Sequence, residues 1–402
     1  MAGLPTSGRS CASLGALLLC FAGCEGRSLF PGDEGIDFGD GDLDDGDPDD
    51  GDPDDGDPDD GGPGDGDPGD GDDDSPLACF PIVDSLVITD QTPPAAVACI
   101  EQVLGDLTVG PTTELVDLQM LSSLRKIGGA AHIAGNLALT SVDGLQGLEQ
   151  LEWLHLRRNR NLSNLHGLDG LRMVERISVV DNDGMTSLAG LPDDLAPSLL
   201  EIADNELLAS LDGLPVFASP REGALAVEID DNPSLIDLGG LSDCCADQAL
   251  GVTLEGNEEL DDLGGLEAFV RLASLRIHDN PALASLGGLD SLVEVGLLEI
   301  GFNHCAEEDS GASLVSLAGA PKLAVIDTLQ VQWVDSLTSL AGLEGVDTLG
   351  VLRIRNNAAL PWDAVLELEA QTEPQVVDAC GGLGGPECAP EPCPMFSLET
   401  RG

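Results

Sequence analysis

Hydrophobic positions follow one fixed frame through most of the chain. The stretch "LRIHDNPALASLGGLDSL", from Leu275, shares its apolar frame, one asparagine and one glycine with "LHLRRNRNLSNLHGLDGL" and "VEIDDNPSLIDLGGL", and its apolar positions and asparagine with "LRIRNNAALPW". The frame reads apolar-x-apolar-x-x-Asn-x-x-Leu-x-x-Leu-x-Gly-Leu. The asparagine falls at Asn136, Asn159, Asn182 and Asn205, 23 residues apart, and continues at Asn232, Asn257, Asn280, Asn303 and Asn357. Thr112 and Val334 hold the same place in two further units, for about eleven in all. Insertions explain the longer gaps: "FASPREG" before Asn232, "DCCADQA" before Asn257 and "HCAEEDSGAS" after Asn303. A fixed period of this length predicts a solenoid, in which each unit buries its apolar face only against its neighbours.

Within a unit the first three residues alternate, as a short strand does. Leu275 and Ile277 are then core, while Arg276 and His278 face outward. Stacked coils turn these strands into a parallel sheet. The asparagine sits where the chain leaves the strand and backbone groups lose their ladder partners. An amide both donates and accepts, so a stacked column of asparagines can satisfy them. Gly144, Gly167, Gly190, Gly213, Gly240, Gly265, Gly288, Gly319 and Gly342 mark a second turn, through either positive φ or close packing. The intervening "GLxxLxxL" is too short for a full helix and predicts a 3₁₀ turn or extended corner. Leu86–Ile88 with Pro93–Val103 should close one end, and a helix over Pro361–Ala370 the other.

The residues Leu151-x-x-Leu154-x-Leu156-x-x-Asn159 match the leucine-rich-repeat frame, except that Leu162 follows the asparagine by three residues rather than two. "Asn-Pro-x-Leu" at Asn232 and Asn280, and "CIEQVLGDLTV" from Cys99, resemble the receptor L domain more closely. That is the solenoid of insulin-receptor and epidermal-growth-factor-receptor ectodomains, and bacterial surface lipoproteins carry similar repeats. The resemblance covers about Cys79 to Ala370. It implies a β-rich, right-handed coil stack of the leucine-rich-repeat or receptor L-domain kind, with a parallel sheet. The receptors' paired L domains, cysteine-rich module and transmembrane helix are not visible here, so signalling is not implied.

Upstream of the repeats the composition changes twice. Residues 1–24 read as a targeting signal, with Arg9 ahead of a short apolar core, "CASLGALLLCFAG". Phe21-Ala22-Gly23-Cys24 resembles the bacterial lipobox, with Phe21 departing from the usual aliphatic residue; the resemblance implies lipidation at Cys24. An ordinary secretory signal is the alternative. Residues 25–75 are dominated by Asp, Gly and Pro, with "GDPDD" at Gly46, Gly51 and Gly56. Such a segment cannot bury a core and repels itself, predicting a disordered tether. Its carboxylates suit calcium, but no glutamate closes a 12-residue loop, so diffuse cation binding is expected. The solenoid with its caps then occupies 76–372, and a cysteine-rich tail 373–402.

The chain has 402 residues with a net charge of -58, which repels nucleic acid and other phosphate surfaces. Aromatic residues make up 3%, with no Tyr, so the core must be aliphatic. Beyond Cys24 the cysteines are Cys79, Cys99, Cys244, Cys245, Cys305, Cys380, Cys388 and Cys393, an even number that favours disulfides in an exported chain. Cys79–Cys99 is the expected N-terminal bridge, and the last three should give one local bridge. Zinc is the alternative there, though the spacing lacks paired ligands. Adjacent Cys244 and Cys245 are not expected to bond to each other.

No catalytic frame, metal-protease histidine pair or phosphate loop is present, and no cofactor is implied. The chemistry lies on the outward sheet positions instead. One row carries Thr108, His132, His155, Ser178, Glu201, Glu228, Thr253, Arg276, Glu299, Gln330 and Arg353. Two places along come Arg157, Asp230, Glu255, His278, Gln332 and Arg355, with Trp153 and Arg176 flanking the same face. In a chain this poor in bases, His132, Trp153, His155, Arg157, Arg176, Arg276, His278, Arg353 and Arg355 form a candidate recognition surface, in two groups around an acidic middle. The expectation is a lipid-anchored binding or adhesion protein at the outer membrane or cell surface of a Gram-negative bacterium. Its partners would be the membrane, through the anchor, and a surface protein or glycan. The alternative is a structural envelope coat whose outward charges only keep the sheet solvated.

Overall fold

The computed structural model describes residues 80–245, 249–301 and 313–388. Cys24, the acidic segment, Cys79, Asn303, Cys305 and Cys393 lie outside the described residues. The chain begins with β1 (Ile82–Val83), β2 (Leu86–Ile88), the short α1 (Pro94–Val97), β3 (Gln102–Val103), β4 (Leu107–Val109), β5 (Lys126–Ile127) and β6 (Ala130–Ala134). The coils continue through β7 (Trp153–Arg157), β8 (Arg176–Val180), β9 (Leu199–Ala203), β10 (Leu225–Asp230), α2 (Gly240–Cys245), β11 (Leu250–Glu255) and β12 (Arg271–His278). They end with β13 (Glu294–Gly301), β14 (Val325–Gln332), β15 (Thr348–Arg355), α3 (Trp362–Thr372) and β16 (Val376–Cys380).

All strands pair in parallel, as a β-rich coil stack requires. A three-stranded sheet joins β1, β3 and β5, and a 13-stranded sheet runs in chain order from β2 to β16. Eleven of the thirteen are the strands of the repeat frame; β2 and β16 add one at each end. The helix α3 follows Pro361 as expected, but it does not end the stack, because β16 pairs with β15 beyond it.

The core is an aliphatic column. Leu154, Leu156, Leu254, Leu275, Leu298 and Leu352 are fully buried, each stabilising the fold by about 1.5–3 kcal/mol through area removed from water. The asparagine column is built as the frame predicts. Asn159 Nδ2 donates to the Ile133 carbonyl at 2.8 Å, and its Oδ1 accepts from the Asn136 backbone N–H at 3.3 Å. Asn182, Asn205, Asn232 and Asn257 repeat both bonds in the following coils. Thr112 Oγ1 donates to Asn136 Oδ1 at 2.8 Å, and the Val334 N–H to Asn357 Oδ1 at 2.9 Å, so both stand-ins join the column. At the second turn the glycines meet both conditions. Gly190 has φ +126°, and a Cβ there would strike the backbone of Leu165 and His166. Gly240 differs: it opens α2, and close approach to the Leu211 carbonyl alone excludes a side chain.

Two disulfides are described. Cys380–Cys388 is the local bridge expected for the tail. Cys244 and Cys245 are bonded to each other, against expectation; both sulfurs are buried at the end of α2, in a coil enlarged by the insertion, with no other described cysteine beside them. Cys99 is also disulfide-bonded. Among the described residues, no helix is long and apolar enough to cross a membrane.

Candidate functional site: the outward face of the sheet

The long sheet places the predicted outward residues in three straight rows. The middle row runs Val87, Thr108, His132, His155, Ser178, Glu201, Glu228, Thr253, Arg276, Glu299, Gln330, Arg353 and Asp378, each opposite the next in strand register. One flanking row carries Arg157, Val180, Ala203, Asp230, Glu255 and His278; the other carries Trp153, Arg176, Leu199, Ala226 and Gly251. Strand spacing of about 4.8 Å makes this a platform roughly 60 Å long.

Along that platform the chemistry divides into three zones. On β6–β8 the rings cluster. Trp153 stacks on His155 with centroids 5.4 Å apart, and His132 meets both edge-on, at 6.0 Å from Trp153 and 5.7 Å from His155. The Nδ1 atoms of the two histidines lie 3.4 Å apart. His155 is only 6% exposed, and burial, with His132 and Arg157 nearby, lowers its pKa to about 4. It is therefore a neutral ring at ordinary pH, and the positive charge of this zone comes from Arg157 and Arg176. Neither arginine makes an ion pair with a described residue, and Arg157 Nε is buried without a hydrogen-bond partner.

On β9–β11 four carboxylates crowd together: Glu201, Glu228, Asp230 and Glu255. Burial raises Asp230 to about 8, reinforced by Glu255, Glu228, Asp231 and Glu201, and its Oδ1 is buried without a partner. Glu228 is also raised, by burial and then by Glu201, with Arg276 pulling the other way. Glu255 is lowered, because the His278 ring lies beside it at 3.7 Å. Among the described residues no group of three His, Cys, Asp or Glu side chains is placed to hold a metal ion.

The third zone, β12–β16, carries the other predicted bases, and here each is compensated. Arg276 Nε reaches Glu299 at 3.2 Å, and His278 lies between Glu255 and Glu299. Arg355 contacts Asp378 at 3.0 Å; Arg353 bonds Gln330 at 2.7 Å and lies 3.8 Å from Asp378. The predicted surface residues are thus all on one face, but not in one site: the structure separates a cationic-aromatic zone, whose two arginines form no ion pair with a described residue, from a neutralised one. Asp378 was missed because β16 lacks the repeat frame; its alternation, Val376-Val377-Asp378-Ala379-Cys380, was the available signal. No protein-family model matches the chain, and no curated protein matches it.

Proposed function

We propose that this is an exported, lipid-anchored binding or adhesion protein that recognises a partner on the outer membrane or cell surface through the β6–β8 zone of its sheet. The carrying observation is the pair Arg157 and Arg176, which form no ion pair with a described residue, beside Trp153, His132 and His155 in a chain with a net charge of -58. Guanidinium groups bind carboxylate and phosphate groups bidentately, and an aromatic cluster adds stacking area, so the zone suits an acidic patch of a protein or glycan. The lipobox-like Phe21-Ala22-Gly23-Cys24 and the similarity of the repeats to receptor L domains support an extracytoplasmic setting. The compensated zone on β12–β16 favours a second reading for that half alone: a solvated face of a structural coat.

The test is retention of the full chain and its Arg157→Glu/Arg176→Glu variant on isolated cell envelopes at low and high salt. The wild-type chain should be retained, less so in high salt, and the variant should be lost. Equal retention of both, or of neither, sinks the reading. Stability should change by less than about 1 kcal/mol, since the core beneath is untouched.

A further inference from the structure

The free arginines and the crowded carboxylates are not scattered. They occupy adjacent zones of one sheet with opposite charge: Arg157 shares a register row with Asp230 and Glu255, Glu201 and Glu228 lie in the middle row, and Arg176 lies in the other flanking row. A face of this kind is complementary to its own copy turned by a two-fold axis lying between the sheets, parallel to the strands, and passing between β8 and β9. That operation lays β8 over β9, β7 over β10 and β6 over β11 of the second copy, and each row over itself. The registers then dictate the contacts. Arg157 comes opposite Asp230 of the second copy, and His155 opposite Glu228. The bulky Trp153 comes opposite the small Ala226, Arg176 opposite Leu199, and Val180 opposite Ala203. Further out, His132 meets Thr253, Thr108 meets Arg276 and Val87 meets Glu299. No like charges are placed directly opposite each other.

We infer that the partner recognised by the β6–β8 zone is a second copy of this chain, bound face to face across the sheet. The inference rests on the binding role proposed for this face and names its partner; the adhesion is then homophilic. Arg157 and Asp230, each half-buried on its own chain, stand opposite each other on both sides of the axis. An isologous contact of this kind closes on itself and makes dimers, not fibres. Ten overlapping strands about 4.8 Å apart, with about five residues each, cover roughly 750 Å² per copy. That is close to the roughly 800 Å² per partner of a standard specific interface.

The raised Asp230 and Glu228 carboxyls fit the same arrangement. In the separate chain burial, and then the neighbouring carboxylates, disfavour ionisation. The guanidinium of Arg157 opposite Asp230 favours it, so association at neutral pH releases protons.

The experiment is a charge swap read by sedimentation velocity in about 0.15 M salt, where a Debye length of about 8 Å screens the distant charges of this acidic chain but not contact pairs. Arg157→Glu/Arg176→Glu makes both zones acidic. Glu228→Lys/Asp230→Lys makes both basic. The full wild-type chain should dimerise as its concentration rises, and each variant alone should show a dissociation constant raised by about tenfold or more. Their equimolar mixture should recover the dimer, because acid meets base on both sides of the axis. Ala226→Trp changes no charge but fills the space opposite Trp153, and should weaken the dimer by a similar factor. Near-ultraviolet circular dichroism of every variant reports whether its fold is retained, and the mixture's recovery gives the same answer independently. A wild-type chain that stays monomeric to its solubility limit overturns the inference. So does a mixture no tighter than its components, or an Ala226→Trp chain that dimerises like wild type. If a monomeric wild-type chain is still retained on envelopes through Arg157 and Arg176, the binding role stands and the partner is another molecule. If it is not retained, both fall.

Discussion

Replacing Asp230 with asparagine should stabilise the solenoid, and by an amount that grows with pH. Asp230 is the most perturbed carboxyl on the sheet: burial first, and then Glu255, Glu228, Asp231 and Glu201, raise it from 3.8 to about 8. Below about pH 4 the carboxyl is protonated in both folded and unfolded chains and costs nothing. Between about pH 4 and pH 8 the unfolded chain has released a proton that the folded chain still holds, so stability falls as pH rises, and the loss is complete above about pH 8. The rise from 3.8 to about 8 sets a ceiling of about 6 kcal/mol. Glu228, raised as well, competes for the same proton and can relax once its neighbour is neutral, so the expected gain for Asp230→Asn is about 2–3 kcal/mol at about pH 8.5. Near pH 4 the two chains should be nearly equal. Urea unfolding at a series of pH values, under conditions where both chains are monomeric, measures the difference directly. A gain that does not depend on pH, or a variant less stable than wild type at pH 8.5, refutes the account of a buried, mutually repelling carboxylate.

Asn205→Leu keeps the volume but removes the amide that donates to the Val179 and Ala203 carbonyls and accepts from the Asn182 N–H; it should cost about 1–3 kcal/mol in thermal or urea unfolding, while exposed Glu206→Ala is near neutral. Asp204, the other surface neighbour, is a poor control because its φ of +55° is strained for alanine. His155, with its pKa near 4, should show no imidazole titration by NMR between about pH 5.5 and pH 8; a midpoint near the usual 6.5 refutes the burial argument. Val180→Glu puts a carboxylate in register beside Arg157, as Glu299 stands beside Arg276; it should leave stability within about 1 kcal/mol but reduce envelope retention as charge reversal does, and unchanged retention counts against Arg157 as a contact.

The sheet and the asparagine column were legible because each repeats a local rule many times. Alternation at Leu275-Arg276-Ile277-His278 fixes which side chains point outward, and a 23-residue period fixes which of them become neighbours. The same two facts recovered the middle row from Thr108 to Arg353. The last coil was not legible, since Val376–Cys380 is followed by neither the asparagine nor the glycine; it joins the sheet by strand pairing alone. Losing β16 also hid Asp378, and with it the neutralisation of Arg353 and Arg355. The Cys244–Cys245 bond was hidden differently. The expectation weighed the strain of bonding neighbours, whereas the insertion at this coil builds the short helix α2, which holds both thiols in the core.

What separates the free arginines from the paired ones is the residue type in the next strand. Arg276 has Glu299 as its register neighbour, and Arg353 has Asp378. Arg157 has Ala134 on one side and Val180 on the other; Arg176 has Trp153 and Leu199. With 74 acidic residues against 16 basic ones, a carboxylate beside any given arginine is the ordinary outcome, and the outward rows of β9–β11 show how readily this chain supplies them. Around Arg157 and Arg176 those same positions hold aliphatic and aromatic side chains. Such neighbours bring no carboxylate in register, so neither guanidinium is held in a salt bridge with the next strand. Solubility alone would not require this arrangement, because a salt-bridged sheet such as β12–β16 is at least as well solvated. The selective absence of acids from two rows of β6–β8 is the feature that a purely structural coat leaves unexplained and a recognition surface requires.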